Sequence, residues 1–319
     1  MQTKLAILLS TYNGAAFLAE QLDSLLAQSY KNFIVVMRDD GSSDDTLEIL
    51  QDYQQRHPQY FTLLENDGIN LGACAGFSFL MQYTLDNKTS LGLASAYMMF
   101  CDQDDTWHVD KVKIEMGRML ETEAELISQK GGLQDTVQGK TAVLVHSDLA
   151  VVDENGALIA ASFMTYQGLS SNKKSLSQLL LSNTVTGCTA LANEALIEQA
   201  LPLSENAIMH DWWLAINAAA FGSIVFENSA LVNYRQHGKN TLGAKPHIKT
   251  SLVSRVLKIH VINSHIPLFA EVSRQALAFL QVYANKLSRF ERLILKLAIG
   301  LNSRHGIVQR GLFRLLRLL

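Results

Sequence analysis

Ala96-Tyr97-Met98-Met99-Phe100-Cys101-Asp102-Gln103-Asp104-Asp105 is the stretch on which the architecture turns. An unbroken apolar run stops abruptly at three carboxylates within four residues. A strand covered on both faces reads as a continuous apolar run, and in open α/β sheets ligands gather beyond the carboxyl ends of such strands. The same pattern occurs twice upstream. Leu5–Leu9 runs into Ser10-Thr11-Tyr12-Asn13, and Phe33–Met37 runs into Asp39-Asp40-Gly41. Between these runs, Phe17–Gln28, Asp44–Tyr53 and Ala75–Leu85 carry helical spacing, Phe61–Leu64 reads as a further strand, and Val109–Leu120 is the next helix. Ser43 or Asp44 is the expected N-cap of the second helix. Strands alternating with helices of this length imply an α/β fold, with a mainly parallel, Rossmann-like sheet flanked by helices.

Downstream, Ser128–Lys140 is polar and reads as a loop. Asn155-Gly156 between Ala142–Val152 and Ala157–Ala161 is a two-residue hairpin signal. Leu176–Leu181 and Asp211–Phe221 are helical, and Ile224–Phe226 and Leu231–Tyr234 are strand-like. From Lys245 onward the chain holds 13 Lys/Arg against 2 Asp/Glu, leaving 14 basic and 28 acidic residues before it. The division is therefore 1–245 for the main domain and 246–319 for a basic helical C-terminal appendage. In the appendage, Arg310, Arg314 and Arg317 share a helical face, and Leu312, Phe313, Leu315, Leu316 and Leu319 fill much of the rest. Such a segment either lies on an anionic leaflet or packs against the body.

Composition narrows the setting. Of the 319 residues 48% are apolar and only four are proline, which suits a large core rather than disorder. Cys74, Cys101 and Cys188 are odd in number and form no CxxC pair, so neither a disulfide framework nor a zinc site is expected. The N-terminal apolar run is cut by Ser10 and lacks a cleavage site, and the Leu293–Leu301 run is interrupted by Lys296. The expectation is a cytoplasmic protein without a membrane span, peripheral at most on the inner face of the plasma membrane. An acidic body is the wrong sign for broad nucleic-acid binding.

Three clustered carboxylates repel one another, and a divalent cation carrying a diphosphate relieves that repulsion. Asp102 and Asp104 alternate to the same side, so one can meet a ribose and the other the metal; the plainer alternative is an acidic turn capping the next helix. Asp40 can accept a base-ring N–H, and Asp44 serves as a cap. His237 is the candidate for a further metal ligand, with Arg235 and Lys239 beside it giving a cationic setting suited to phosphates, although a lone histidine is more often structural. Asp211 opens a helix in Met209-His210-Asp211-Trp212-Trp213, either as N-cap or as a general base beside two indoles suited to stacking on sugar rings. No GxGxxG, complete phosphate-binding loop, nucleophile elbow or HExxH occurs.

Taken in order, Leu9–Gly14, Arg38–Asp44, Asn70-Leu71-Gly72 and Phe100–Trp107 resemble the family 2 glycosyltransferases. His146–Leu149, Thr186–Thr189, His210–Trp213 and Tyr234–Gly238 resemble the bacterial rhamnosyltransferase-like branch. The resemblance spans about residues 4–244. It implies a GT-A type fold and inverting transfer of a sugar from a dTDP- or UDP-sugar, rhamnose favoured, to a saccharide hydroxyl on a lipid-linked acceptor in surface polysaccharide synthesis. It implies manganese or magnesium as cofactor. Residue by residue, Ser10, Thr11, Tyr12, Asp40 and Asp102 fall to the nucleotide, Asp104 and His237 to the metal, and Asp211 to the catalytic base. Trp212, Trp213, Asp105 and Gly187 fall to the acceptor and sugar. The sequence departs from the family where a basic residue near Gly72 is missing and where the usual Glu-Asp pair reads His210-Asp211. A UDP-hexose transferase, a non-catalytic nucleotide-sugar or glycan-binding module, and a nucleotidyltransferase remain as alternatives. The last lacks its glycine-rich, basic loop after the first strand.

Overall fold

The computed structural model describes residues 2–65, 68–129, 141–171, 174–238 and 267–319. Its elements run β1 (Leu5–Thr11), α1 (Ala15–Leu26), β2 (Phe33–Asp39), α2 (Thr46–Arg56), β3 (Phe61–Leu63), α3 (Gly72–Asp86), β4 (Met98–Cys101), β5 (Thr106–Trp107) and α4 (Lys111–Gln129). They continue with β6 (Ala142–Val152), β7 (Leu158–Ala160), α5 (Phe163–Gln167), α6 (Leu176–Leu181), β8 (Ala190–Ala192), α7 (Glu194–Ala200), α8 (His210–Phe221) and β9 (Gly222–Arg235). Three further helices follow: α9 (Pro267–Tyr283), α10 (Arg289–Ile299) and α11 (Gly306–Leu318).

The strands join in the order β3-β2-β1-β4-β8-β6-β9-β5, with β7 paired to β6. The β3-β2-β1-β4 half is parallel, as the alternation of runs and helices implies. Period-two geometry explains its apolar strands: Leu5, Ile7 and Leu9 enter the core beneath α1, α2 and α4, while Ala6 and Leu8 enter the opposite core with α3, α6, α7 and α8. The sheet is mixed rather than mainly parallel, however. β8 inserts antiparallel between β4 and β6, and β5 and β7 also pair antiparallel. β8 is three residues long, too short to leave a periodic signal. The two strand-like segments expected at Ile224–Phe226 and Leu231–Tyr234 are one strand, β9, parallel to β6 with two register shifts that absorb the intervening residues.

Smaller differences have local causes. α2 begins at Thr46 with Asp45 at its cap position. Asp44 instead accepts from the N–H groups of Thr46 (3.1 Å) and Ala15 (3.2 Å), which ties the starts of two helices together. The appendage boundary at 245, Lys239 and most of the Ser128–Lys140 loop lie outside the described residues, and α4 runs on to Gln129. Among the described residues no helix is long and apolar enough to cross a membrane. All three cysteines are free thiols.

α9, α10 and α11 share the core that contains α6 and α8. Trp213 meets Phe279 at 5.4 Å, Tyr283 donates to the Gln199 carbonyl at 2.7 Å, and Ile208 N–H donates to Gln275 at 2.9 Å. Leu316 is buried and Leu312 and Phe313 pack against the same core, while Ile307, Val308, Leu315 and Leu318 of the last helix are exposed.

Candidate functional site

The loops following β1, β2 and β4 are cross-linked into one rim. Gln103 accepts from Tyr12 N–H at 2.8 Å and donates back to its carbonyl at 3.0 Å. Thr11 bonds Asp39 at 3.0 Å, and Asn13 exchanges bonds with Ser42 and Ser43 at 2.8 Å each. Asp39 also accepts from the N–H groups of Gly41 (3.1 Å) and Ser42 (2.8 Å), which fixes the turn. A crevice of about 950 Å³ opens at this rim, a volume ordinary for a small-molecule site. Ser10, Thr11, Tyr12, Asp40, Asp102, Asp104, Gly187, Asp211 and His237 all line it. Of these, the Thr11 hydroxyl is already engaged by Asp39.

Asp40 is nearly fully buried. It pairs with Arg38 and accepts from the N–H groups of Leu71 (3.0 Å) and Gly72 (2.7 Å). Gly72 has φ +72°, a left-handed conformation that glycine takes without strain, so the sequence Asn70-Leu71-Gly72 can turn its N–H groups onto the carboxylate. Arg38, buried at the end of β2, thus stands close to where the expected basic residue near Gly72 is missing. Its neighbour relationship to Asp39-Asp40 was visible in the sequence, but its role was not.

Asp104 and His237, separated by 133 positions, lie with Oδ2 and Nε2 2.8 Å apart. Two cis ligands of an octahedral cation at about 2.1 Å stand about 3 Å from one another, so this pair fits a divalent metal, and its mixed oxygen–imidazole set suits a transition ion such as manganese better than magnesium, which prefers oxygen ligands alone. The His237 ring rests on Phe17 at 4.8 Å. Arg235 ties the Asp104-Asp105 turn to the end of β9. Its N–H donates to Asp105 Oδ1 (3.0 Å), and its guanidinium donates to the Asp104 carbonyl (2.9 Å), the Glu154 carbonyl (2.9 Å) and Glu20 (2.6 Å). Buried and committed in this way, Arg235 does not offer the phosphate-facing charge expected of it beside His237.

Burial and the neighbouring Asp104 and Asp211 carboxylates push Asp102 up to about 7. Burial also pushes Asp211 up to about 7, against hydrogen bonds from the Trp212 and Gly187 N–H groups that favour its charged form. A carboxylate poised near neutrality in a crevice has the affinity a general base requires. Asp105 and Cys188 are fully buried, their ligand atoms and that of Asp102 lie within 4.8 Å of one another, and burial raises both, which favours their uncharged forms.

Three expectations are corrected here. Trp212 and Trp213 do not offer stacking faces. Trp212 donates its indole N–H to the Leu179 carbonyl (2.6 Å), Trp213 donates to the Ala200 carbonyl (3.1 Å), and both are core residues. They follow Asp211 on α8, whose next positions turn into the protein rather than the crevice. Asp105 is likewise inside, held by Arg235, and reaches neither acceptor nor sugar. Gly187 remains at the crevice wall, where an added Cβ would come within 3.0 Å of His210 and 3.6 Å of Asp211. His210 itself lines the crevice without having been assigned a role from the sequence.

Fold and site together define an α/β protein with a carboxylate-lined ligand crevice at the carboxyl ends of its strands. Residues 6–143 match the family model of glycosyl transferase family 2. Among its relatives is the dTDP-rhamnosyl transferase RfbG of Shigella flexneri, 34% identical over 105 residues that make up 33% of this chain and 34% of that protein. Another is the uncharacterized glycosyltransferase RP339 of Rickettsia prowazekii, 24% identical over 238 residues, 74% of this chain and 65% of that one. The chain thus spans about a third of the first relative and just under two thirds of the second. Similar solved structures include S. aureus TarS 1-349 in complex with UDP, at TM-score 0.49 and 15% identity, covering 99% of this chain and 89% of that one. The mannosyltransferase PcManGT from Pyrobaculum calidifontis in complex with GDP-Man and Mn2+ has TM-score 0.46 and 15% identity, covering 99% and 86%.

Proposed function

We propose that the protein is an inverting, divalent-metal-dependent glycosyltransferase that moves a sugar from a nucleoside diphosphate to an acceptor hydroxyl. The observation that carries this reading is the apposition of Asp104 and His237 at 2.8 Å in the crevice that also holds Asp211. Asp104 and His237 hold the cation, with Asp102 turned to the ribose. A divalent cation bound there supplies positive charge against the departing diphosphate. Ser10, Tyr12 and Asp40 hold the base, with the Arg38–Asp40 pair fixing the turn beneath it. Asp211 takes the proton of the acceptor hydroxyl as that oxygen attacks the anomeric carbon from the side opposite the diphosphate.

The name of the Shigella relative favours dTDP-rhamnose as donor, with a UDP-hexose second. The acceptor is a saccharide hydroxyl on a lipid-linked chain. The outer surfaces of α10 and α11 support a peripheral membrane position: Phe290, Leu293, Ile307 and Leu318 are exposed among Arg289, Arg292, Lys296 and Arg317. The catalytic domain is then residues 1–245, and the helices beyond it carry the membrane-facing side.

The test is slow nucleotide release from dTDP-rhamnose or UDP-glucose with manganese. Release is expected with manganese and is lost with EDTA and in Asp104→Ala and His237→Ala. Release that survives all three changes refutes the metal assignment, and no release with either donor counts against the enzyme.

A further inference from the structure

The imidazole of His210 stands out among the polar groups of the crevice. It is 2% exposed, yet neither ring nitrogen has a hydrogen-bond partner among the described residues. Its ring is held between Phe77 (centroids 4.2 Å apart) and Phe100 (4.9 Å). Leaving buried nitrogens unpaired costs stability, and a phenylalanine would fill the same aromatic slot without that cost. The nitrogens are not facing only apolar packing, however. His210 and Gly187 both line the crevice, and a Cβ on Gly187 would come within 3.0 Å of His210 Nε2. The Gly187 backbone lies close against that nitrogen, and a side chain there would push the ring aside.

The position indicates the kind of group that fills it. Phe77 follows Gly76, whose added Cβ would meet Ser10 Oγ at 2.8 Å and Asp40 at 4.0 Å, so one wall of the histidine slot adjoins the proposed base-binding end. On the other side comes Asp211, the proposed base. A group lying between them belongs to the donor, past its diphosphate. Burial lowers His210 to about 3, so the ring is neutral near pH 7 and offers a diphosphate no charge. A neutral imidazole presents one donor and one acceptor, and a hydroxyl complements either tautomer.

We infer that His210 is a specificity-determining residue that hydrogen-bonds a hydroxyl of the transferred sugar held in the crevice. The inference rests on the glycosyltransferase reading and deepens it by naming the group that reads the sugar. Asp211 beside it handles the acceptor proton, and His210 performs no proton transfer.

The experiment measures calorimetric binding of dTDP, UDP, dTDP-rhamnose and UDP-glucose with manganese, with kcat/KM for whichever sugar nucleotide the wild type turns over. His210→Phe keeps the ring shape and removes both nitrogens, while His210→Gln keeps an amide near the Nε2 position. His210→Phe is expected to bind dTDP or UDP like the wild type and to melt at the same temperature or higher. It is expected to lose about tenfold in affinity for the sugar nucleotide and in kcat/KM, the size of one lost hydrogen bond with an unpaired partner. His210→Gln is expected to recover most of that loss. The inference is overturned if His210→Phe retains full kcat/KM, or if it weakens the bare nucleotide as much as the sugar nucleotide. It is also overturned if His210→Gln is as impaired as His210→Phe. A wild type that binds none of the four ligands is a separate result, and it removes the enzyme reading together with this one.

Discussion

Replacing Asp211 with asparagine should make the protein more stable at pH 8 while nearly silencing it. In the folded state burial holds the carboxyl at about 7, against 3.8 for an exposed aspartate. Below pH 3.8 the group is protonated folded or unfolded and carries no penalty. As pH rises toward 7 the unfolded chain ionises first, so stability is lost through that window and the loss levels off above it. About three units at 1.36 kcal/mol each gives a ceiling near 4 kcal/mol at pH 8. Asparagine escapes this ionisation cost. Its carbonyl can still accept from Trp212 N–H, the bond now 2.5 Å long, but its NH2 then meets the Gly187 N–H. Donor against donor costs about 1–3 kcal/mol, which leaves a net gain of about 1–3 kcal/mol at pH 8 and a disadvantage at pH 5. Urea unfolding at both pH values measures the crossing, and nucleotide release should fall about 10²–10⁴-fold. Equal destabilisation at pH 5 and pH 8 would show that the carboxylate is not held by burial, and near-normal turnover would remove it as the base. In the wild type, kcat/KM should rise with pH and level off above about 7 as Asp211 loses its proton.

Other perturbations test the packing and the surface. Trp213→Ala should cost about 3–5 kcal/mol in urea unfolding, because the indole is fully buried against Phe279 and Tyr283, whereas Trp213→Phe should keep turnover. A large turnover loss in the folded phenylalanine variant would return Trp213 to the sugar site. Lys111 and Glu115 form an ion pair with neither side chain exposed, so Lys111→Met should cost about 3–5 kcal/mol by stranding the carboxylate, with part of the loss relieved at acid pH as Glu115 protonates. A loss below 1 kcal/mol would contradict the burial of the pair. Substituting serine for both Arg289 and Arg292 should weaken sedimentation with phosphatidylglycerol vesicles about thirtyfold, at roughly 1 kcal/mol per charge. Unchanged binding, or none by the wild type, would leave that surface without a membrane role.

Much of the crevice lining was legible from the chain. Ser10, Asp40, Asp102 and Asp104 each follow an apolar run, and a parallel strand buried on both faces delivers whatever follows it to the same edge of the sheet. Residues away from those strand ends fared less well. Trp212 and Trp213 looked like a stacking surface because adjacency to Asp211 is all the sequence displays; successive helical positions point about 100° apart, so a helix can present Asp211 to a crevice and bury its next two neighbours. Arg235 looked free to meet phosphate, yet carbonyls of Asp104 and Glu154 and the carboxylate of Glu20 occupy it. Nothing local reveals partners contributed by three distant segments.

The sequence by itself determined the strand–helix alternation of the first half, the three polar strand ends and the resemblance to a known family, since these depend on local apolar periodicity and on motif order. Only the tertiary structure decided that β8 runs antiparallel through the sheet, that the basic helices share the main core, that His237 meets Asp104 and that His210 faces the crevice unpaired. Strand direction and contacts between residues more than a hundred positions apart are fixed by collective packing of the whole chain, which no single segment encodes.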